Sequence, residues 1–246
     1  MTVTHYTVKH SSVPAPVRVA VVADLHNGPY EGLLATLAEE APTLVAVPGD
    51  FLDAPQRTAR ALAFLREAAA RYPTFVSLGN HDVRSMEEAA LFAALEHTGA
   101  TLLQNRSVFH AGICIGGLST GYVFGDRQSR LRPPPAPDRD FLDRFAAERG
   151  FHLLLSHHPE YFDPYIAQHP IELVLSGHAH GGQWSLGRCG LFAPGQGILP
   201  RYTAGLYHSR LLVSRGLCRT HPYLLRIGNP CELVMLTLLP AEERSE

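Results

Sequence analysis

Five short apolar runs, at residues 17–23, 43–48, 74–78, 151–155 and 171–175, have the length and composition of strands buried on both faces. Each is followed by polar residues that end the pattern. Stretches with helical character separate the first three runs and follow the third: Glu31–Glu40, 56–71 and 85–97. Asp53 stands just before Pro55 at the start of the second stretch, an arrangement suited to a helix N-cap. Strand and helix alternating in this order predict an α/β architecture, a parallel sheet with helices packed outside it. Residues 1–8 alternate polar and apolar side chains, as a half-buried strand does.

Past residue 100 the pattern changes. Residues 101–118 read as short strands with Asn and Gly turns, and 119–139 as a loop whose prolines, Pro133, Pro134, Pro135 and Pro137, forbid regular structure. A helix is expected over 138–148, closed by Gly150. Beyond Gly177 the chain is rich in Gly and Pro, and its β runs at 211–214 and 232–239 are expected to form a second, mixed sheet against the first. No internal repeat or linker divides residues 1–246, so a single domain is expected.

Composition narrows the function classes. With 246 residues the chain can bury a sizeable core, and its hydrophobic content of 46% is ordinary for a globular protein. A formal charge of −2 gives no reason for an obligatory nucleic-acid or anionic-membrane partner. No run approaches the roughly 20 apolar residues of a transmembrane segment. Residues 1–8 lack the basic and apolar regions of a signal peptide, so a cytoplasmic location is expected. Cys114, Cys189, Cys218 and Cys231 form no CxxC pair, and reduced thiols are favoured over a disulfide among the last three. The sequence does not address the oligomeric state.

The residues that end the five runs carry the chemistry. They read Asp24-Leu25-His26, Gly49-Asp50, Gly79-Asn80-His81-Asp82, Ser156-His157-His158-Pro159 and Gly177-His178-Ala179-His180-Gly181. Singly, each is an ordinary turn. Together, in order and each at a strand end, where open α/β sheets place their ligands, they offer nitrogen and oxygen donors for two metal ions. Asp24 and His26 lie on the same side of an extended segment and can chelate one ion. Gly49 lets the chain turn and carry Asp50 over the sheet edge, where its carboxylate can bridge two cations. His178 and His180 repeat the spacing around a turn, so they can serve different ions. Asn80 adds a neutral amide oxygen. Mn, Fe or Zn suits this mixture better than Ca or Cu(I).

This series of motifs resembles the calcineurin-like metallophosphoesterase superfamily. Residues 213–217 and 228–233 resemble its bacterial phosphodiesterase branch, that of YkuE and YaeI. The resemblance implies a four-layer α-β-β-α sandwich of two mixed sheets with flanking helices, and a dinuclear metal site at the C-terminal ends of strands. It implies one divalent ion held by Asp24, His26, Asp50 and His180, and a second held by Asp50, Asn80, His157 and His178. His81 falls where the family places the histidine that protonates the leaving group. The family's register relative to the proline selects His157 over His158. The implied reaction is hydrolysis of a small-molecule or lipid-like phosphoester, a phosphodiester in first place, by a hydroxide bridging the two ions. The alternatives are a phosphomonoesterase of protein or nucleotide substrates, and a binding scaffold that has kept the fold; an intact ligand set with His81 speaks against the scaffold.

Several residues keep two readings. Asp53 either caps its helix, the favoured reading, or supports a ligand from behind. Asp82 either orients His81 or is a turn residue. Arg127, Arg130 and Arg132 are solvated charges or a grip on phosphate. Trp184, Tyr202, Tyr207 and His208 are packing residues or part of a substrate rim.

Overall fold

A computed structural model describes residues 1–53, 58–125, 132–186, 189–218 and 226–241. The first part of the chain forms β1 (Thr2–His10), β2 (Val17–Val21), α1 (Glu31–Glu40), β3 (Leu44–Pro48), α2 (Thr58–Ala69), β4 (Thr74–Ser77), α3 (Asn80–Ser85), α4 (Glu88–Glu96) and β5 (Thr101–Leu102). Then come β6 (Arg106–His110), β7 (Ile113–Leu118), α5 (Arg139–Ala146), β8 (His152–Ser156) and β9 (Leu173–Ser176). Two small hairpins follow, β10 (Ser185–Leu186) with β11 (Cys189–Gly190) and β12 (Phe192–Ala193) with β13 (Gly197–Ile198). The chain closes with β14 (Gly205–Tyr207), β15 (Leu211–Val213) and β16 (Glu232–Pro240).

Two six-stranded mixed sheets result, ordered β1-β16-β2-β3-β4-β5 and β14-β15-β9-β8-β7-β6. β2, β3, β4 and β5 run parallel, as do β7, β8, β9 and β15. Alternate residues of the apolar strands enter different layers, which is why these strands read as unbroken apolar runs. On β2, Val17, Val19 and Val21 pack with Leu153 and Leu155 of β8 and with Leu173 and Leu175 of β9 between the sheets, whereas Ala20 faces the helices. The helix α2 buries Ala61, Phe64, Leu65 and Ala68, spaced i, i+3, i+4 and i+7, in that outer layer. On the far side α5 packs Phe141, Leu142 and Phe145 against the second sheet. Its start is capped by Asp138, whose carboxylate accepts the Phe141 N–H at 2.9 Å. Helices, two sheets and helices thus make the expected α-β-β-α layering.

Two local features depart from the sequence reading. β16 does not join β15 in the second sheet; it inserts between β1 and β2 of the first, parallel to one and antiparallel to the other. Its run Leu233, Val234, Met235, Leu236 is buried on both faces, as a central strand requires. The helix expected over 85–97 is α4, but a second helix that was not expected precedes it, separated from it where the chain is extended at Met86 (φ −147°, ψ 155°). That helix, α3, begins inside the Gly79-Asn80-His81-Asp82 motif. Of the loop at 119–139, no described residue between β7 and α5 is helical or in a strand. Arg127 and Arg130 lie outside the described residues.

Candidate metal centre

The motif residues meet where β2, β3, β4, β8 and β9 end. Their backbone is unusual: Asp24, His26, Asp50, His178 and His180 all have φ between 46° and 65°. Non-glycine residues rarely adopt this left-handed conformation, and surrounding contacts must hold them in it. Here those contacts are visible. The His26 N–H donates to the Asp50 carbonyl at 3.1 Å, and the Asn27 N–H to that of Phe51 at 3.0 Å, stitching the loop after β2 to the loop after β3. The His178 N–H donates to both carboxylate oxygens of Asp24 at 3.1 Å, tying the second sheet to the first. Asp24 and His26 therefore converge through a twisted loop, not through the extended segment expected from their spacing. Gly79 and Gly177 allow the close approach: a Cβ at Gly79 would collide with the Asp50 carboxylate, and one at Gly177 would stand 2.6 Å from Asp24.

Two overlapping sets of donors emerge. Asp24, His26 and His180 form one; Asp50, His157 and His178 form the other; within each, one donor atom per residue lies inside 4.8 Å. Asp50 reaches both sets, since its Oδ2 is 3.1 Å from His157 Nε2 and 3.8 Å from His26 Nε2. All six side chains are buried, and His26 Nε2 has no hydrogen-bond partner. An imidazole nitrogen orphaned in this way, 3.8 Å from oxygens of Asp24 and Asp50, fits a cation between them far better than a void. Asn80 is buried and lines the same cavity, of about 350 Å³. His157 is oriented by the Pro48 carbonyl, 3.1 Å from its Nδ1, which leaves Nε2 directed to Asp50. His158 turns away, its Nε2 2.8 Å from the Thr120 hydroxyl, and is buried.

Electrostatics agree with a cation-binding role. Burial, and then the neighbouring imidazole of His81, pulls His26 down to about 3. Burial likewise holds His178 and His180 well below the usual range, so all three are neutral at pH 7, the form in which an imidazole can bind a metal. Burial pushes Asp24 up to about 6. Burial opposes charge on His157 too, but the carboxylates of Asp50 and Asp24 prevail and raise it to about 9. A proton on His157 thus does weakly for Asp50 what a divalent cation would do strongly. Metal binding must expel that proton and any proton on Asp24. Affinity for Mn²⁺ is therefore expected to rise as pH increases from about 6 towards 9, with proton release, as titration calorimetry in buffers of different ionisation heat would measure.

His81 lies beside these sets, its ring 4.6 Å from that of His26 and partly exposed to the cavity. Its main-chain N–H donates to Asp50 Oδ1 at 2.8 Å. Asp53, read as a helix cap or as a support for a ligand, sets its Oδ1 2.8 Å from His81 Nδ1, and the residues it would cap, 54–57, lie outside the described residues. Arg84 also comes within 2.7 Å of that nitrogen and 3.5 Å of the same carboxylate. A ring nitrogen cannot donate to Asp53 while accepting from Arg84, so the two contacts belong to different protonation states of Nδ1. His26, Asp53 and His81 also place one donor atom each within 4.8 Å, although Asp53 is the most exposed of them.

Asp82 takes the second of its two readings, a turn residue that bonds main-chain amides. Its carboxylate accepts the N–H groups of Asp50 (2.7 Å), Gly79 (2.8 Å) and Leu52 (2.9 Å), pinning the loops after β3 and β4 together. Asp82→Ala would leave these buried donors unsatisfied at about 1–3 kcal/mol each. A lowered thermal midpoint and weaker Mn²⁺ binding are both expected, read by denaturation scans and metal titration.

Other residues escaped the sequence reading. Glu160 has both carboxylate oxygens buried without a hydrogen bond, 3.4 Å from His178 Nε2 and 3.6 Å from His158 Nδ1. A carboxylate there favours the proton on His178 Nε2 and leaves Nδ1, 3.2 Å from His157 Nε2, for a cation. Glu160→Gln is expected to weaken metal affinity about 10–100-fold, as outer carboxylate partners of ligating histidines do, with turnover recovering at high Mn²⁺. Asn229 donates to the His180 and Gln183 carbonyls at 2.7 and 3.1 Å, and Gly216 packs against Asp24. These two give the C-terminal motifs at 213–217 and 228–233 a structural purpose. Tyr202 is buried with its hydroxyl donating to Asp163 at 2.8 Å, and the Tyr207 hydroxyl accepts the Thr203 N–H, so both are packing residues. His208 stacks on Phe162, while Trp184 and Arg132 line the cavity. Cys114, Cys218 and Cys231 are thiols. No helix among the described residues is long and apolar enough to cross a membrane.

Comparison with known proteins agrees with this geometry. The metallophosphoesterase YkuE of Bacillus subtilis is 27% identical over 251 residues, spanning 96% of this chain and 84% of its own. The phosphodiesterase YaeI of Escherichia coli is 29% identical, over 92% of this chain and 83% of its own. The NAD nucleotidase of Haemophilus influenzae shares the fold at 16% identity, with a TM-score of 0.50 over 90% of this chain and 44% of that protein. The family model for calcineurin-like phosphoesterases matches residues 17–182, the span that holds every donor described above. The chain belongs to the calcineurin-like phosphoesterase family, whose members hydrolyse phosphoesters with divalent metals.

Proposed function

We propose that the protein is a phosphodiesterase with a dinuclear centre, in which Asp50 joins two metal sites. The position of Asp50 Oδ2 between His157 of one donor set and His26 of the other carries this reading. Asp24, His26, Asp50 and His180 hold one divalent ion, and Asp50, Asn80, His157 and His178 the other; the donor mixture suits Mn, Fe or Zn. Two ions so placed supply electrophilic charge that stabilises the phosphoryl group during in-line displacement. The chain's own residues do the rest. His81 sits in the cavity and protonates the departing alkoxide, with Asp53 holding its Nδ1 proton and so its orientation. Arg84 and Arg132, which line the same cavity, offset phosphate charge. Phosphodiester before monoester follows from the likeness to YaeI.

The test is hydrolysis of bis(4-nitrophenyl) phosphate beside 4-nitrophenyl phosphate by the Mn²⁺-reconstituted protein. Faster diester turnover, abolished by EDTA and restored by Mn²⁺, is expected. Preference for the monoester would move the assignment to a phosphomonoesterase; inertness towards both would remove the hydrolytic reading.

A further inference from the structure

The cavity at the metal centre continues onto an apolar shelf. Leu191 and Phe192 line it beside His178 and His180, together with Trp184. Backbone pairing extends this wall outwards in one ribbon. The Leu199 N–H donates to the Leu191 carbonyl at 2.9 Å, and Ile198 pairs with Phe192 across the hairpin of β12 and β13. The Leu191 N–H donates to the Trp184 carbonyl at 2.9 Å, and Trp184 bridges to Ile227.

These side chains are exposed to an uncommon degree: Leu191 44%, Ile198 77%, Leu199 72%, Ile227 56% and Trp184 47%. Among the described residues the only other large apolar side chains so exposed are Met1, Phe109 and Val123. Scattered exposure needs no explanation, but five such residues along one ribbon that leads out of the cavity at the metal centre do. The backbone adds to this, since Leu199 has φ 52°, a left-handed conformation that bulky residues rarely adopt.

We infer that the substrate is an amphiphilic phosphoester, its phosphate at the metal centre and its hydrocarbon chain along the shelf of Leu191, Ile198, Leu199 and Ile227. This rests on the phosphoesterase reading and names the substrate class of that same site. Continuity decides for a substrate chain over a separate docking partner, because the shelf's inner residues, Leu191 and Phe192, share a cavity with the donors of the centre. Arg84 and Arg132 in that cavity suit the charged end, and the ribbon carries no acidic residue to repel it.

The experiment uses alkyl 4-nitrophenyl phosphodiesters, methyl to decyl, below their micellar concentrations, with the Mn²⁺-loaded protein. kcat/KM should rise roughly twofold per methylene over the first several, about half of what full burial gives in free energy. Leu199→Asp and Ile198→Asp, both at exposed positions where folding is insensitive, should flatten that rise. Phe109→Asp, on the edge strand β6, should leave it intact. A flat dependence on chain length with robust turnover would overturn the inference and leave the phosphoesterase reading standing. Absence of turnover on every ester would remove both. Should Leu199→Asp release the protein from phosphatidylcholine–phosphatidylglycerol vesicles without altering the chain-length slope, the shelf is a membrane-docking face and the inference is wrong.

Discussion

Asp50→Asn is expected to empty both metal sites together. The carboxylate Oδ2 lies between the two donor sets, so replacing it with a neutral amide weakens each. Outer partners of metal ligands are already worth about 10–100-fold in affinity, and a shared ligand should exceed that at each site. The fold should survive, because Asn retains a carbonyl oxygen for the His81 N–H now bound by Oδ1. Elemental analysis after Mn²⁺ loading should therefore fall towards zero equivalents while circular dichroism is unchanged. Phosphodiester hydrolysis should drop to background. Retention of one full equivalent would show that Asp50 serves a single ion.

His81→Ala is expected to separate chemistry from metal binding. The contact between His81 and Asp50 uses the main-chain N–H, which alanine keeps. Metal content should stay nearly constant. General acid catalysis contributes about 10²–10⁴-fold, so kcat for a diester with a poor alkoxide leaving group should fall by that factor. A nitrophenolate departs without a proton, and with it the loss should shrink. Asp53→Asn should reproduce part of the effect and displace the pH profile, since Asp53 holds the His81 ring. His178→Ala, by contrast, should lose metal and activity towards both kinds of substrate. Loss of metal in His81→Ala would make it a ligand, in the set it shares with His26 and Asp53.

The architecture was legible because buried strands leave apolar runs and helices leave periodicity. β2, β3 and β4 fall within such runs and β8 and β9 end one residue past theirs, and the polar residues after each run marked the sheet edge where the donors lie. What could not be read was anything set by long-range pairing. β16 has the composition of a central strand, but composition does not say which sheet it completes. The left-handed backbone at Asp24, His26 and Asp50 depends on hydrogen bonds between distant loops, so an argument from extended geometry reached the right convergence for the wrong reason. Asp53 and Asp82 were both seen, yet their partners came out differently: Asp53 met His81, while Asp82 took three main-chain donors. Glu160 carried no signal beyond its place two residues after His158. Its role follows only from the turn at Pro159–Tyr161, which brings it against His178.

The most direct test of the account is to count metal and turnover in one sample. Protein stripped with chelator, reconstituted with Mn²⁺ and freed of excess metal would be analysed for Mn per chain, then assayed with a phosphodiester. Two equivalents are predicted, with activity rising as the second site fills and vanishing when EDTA removes the metal. A plateau at one equivalent, or full activity in metal-stripped protein, would contradict it.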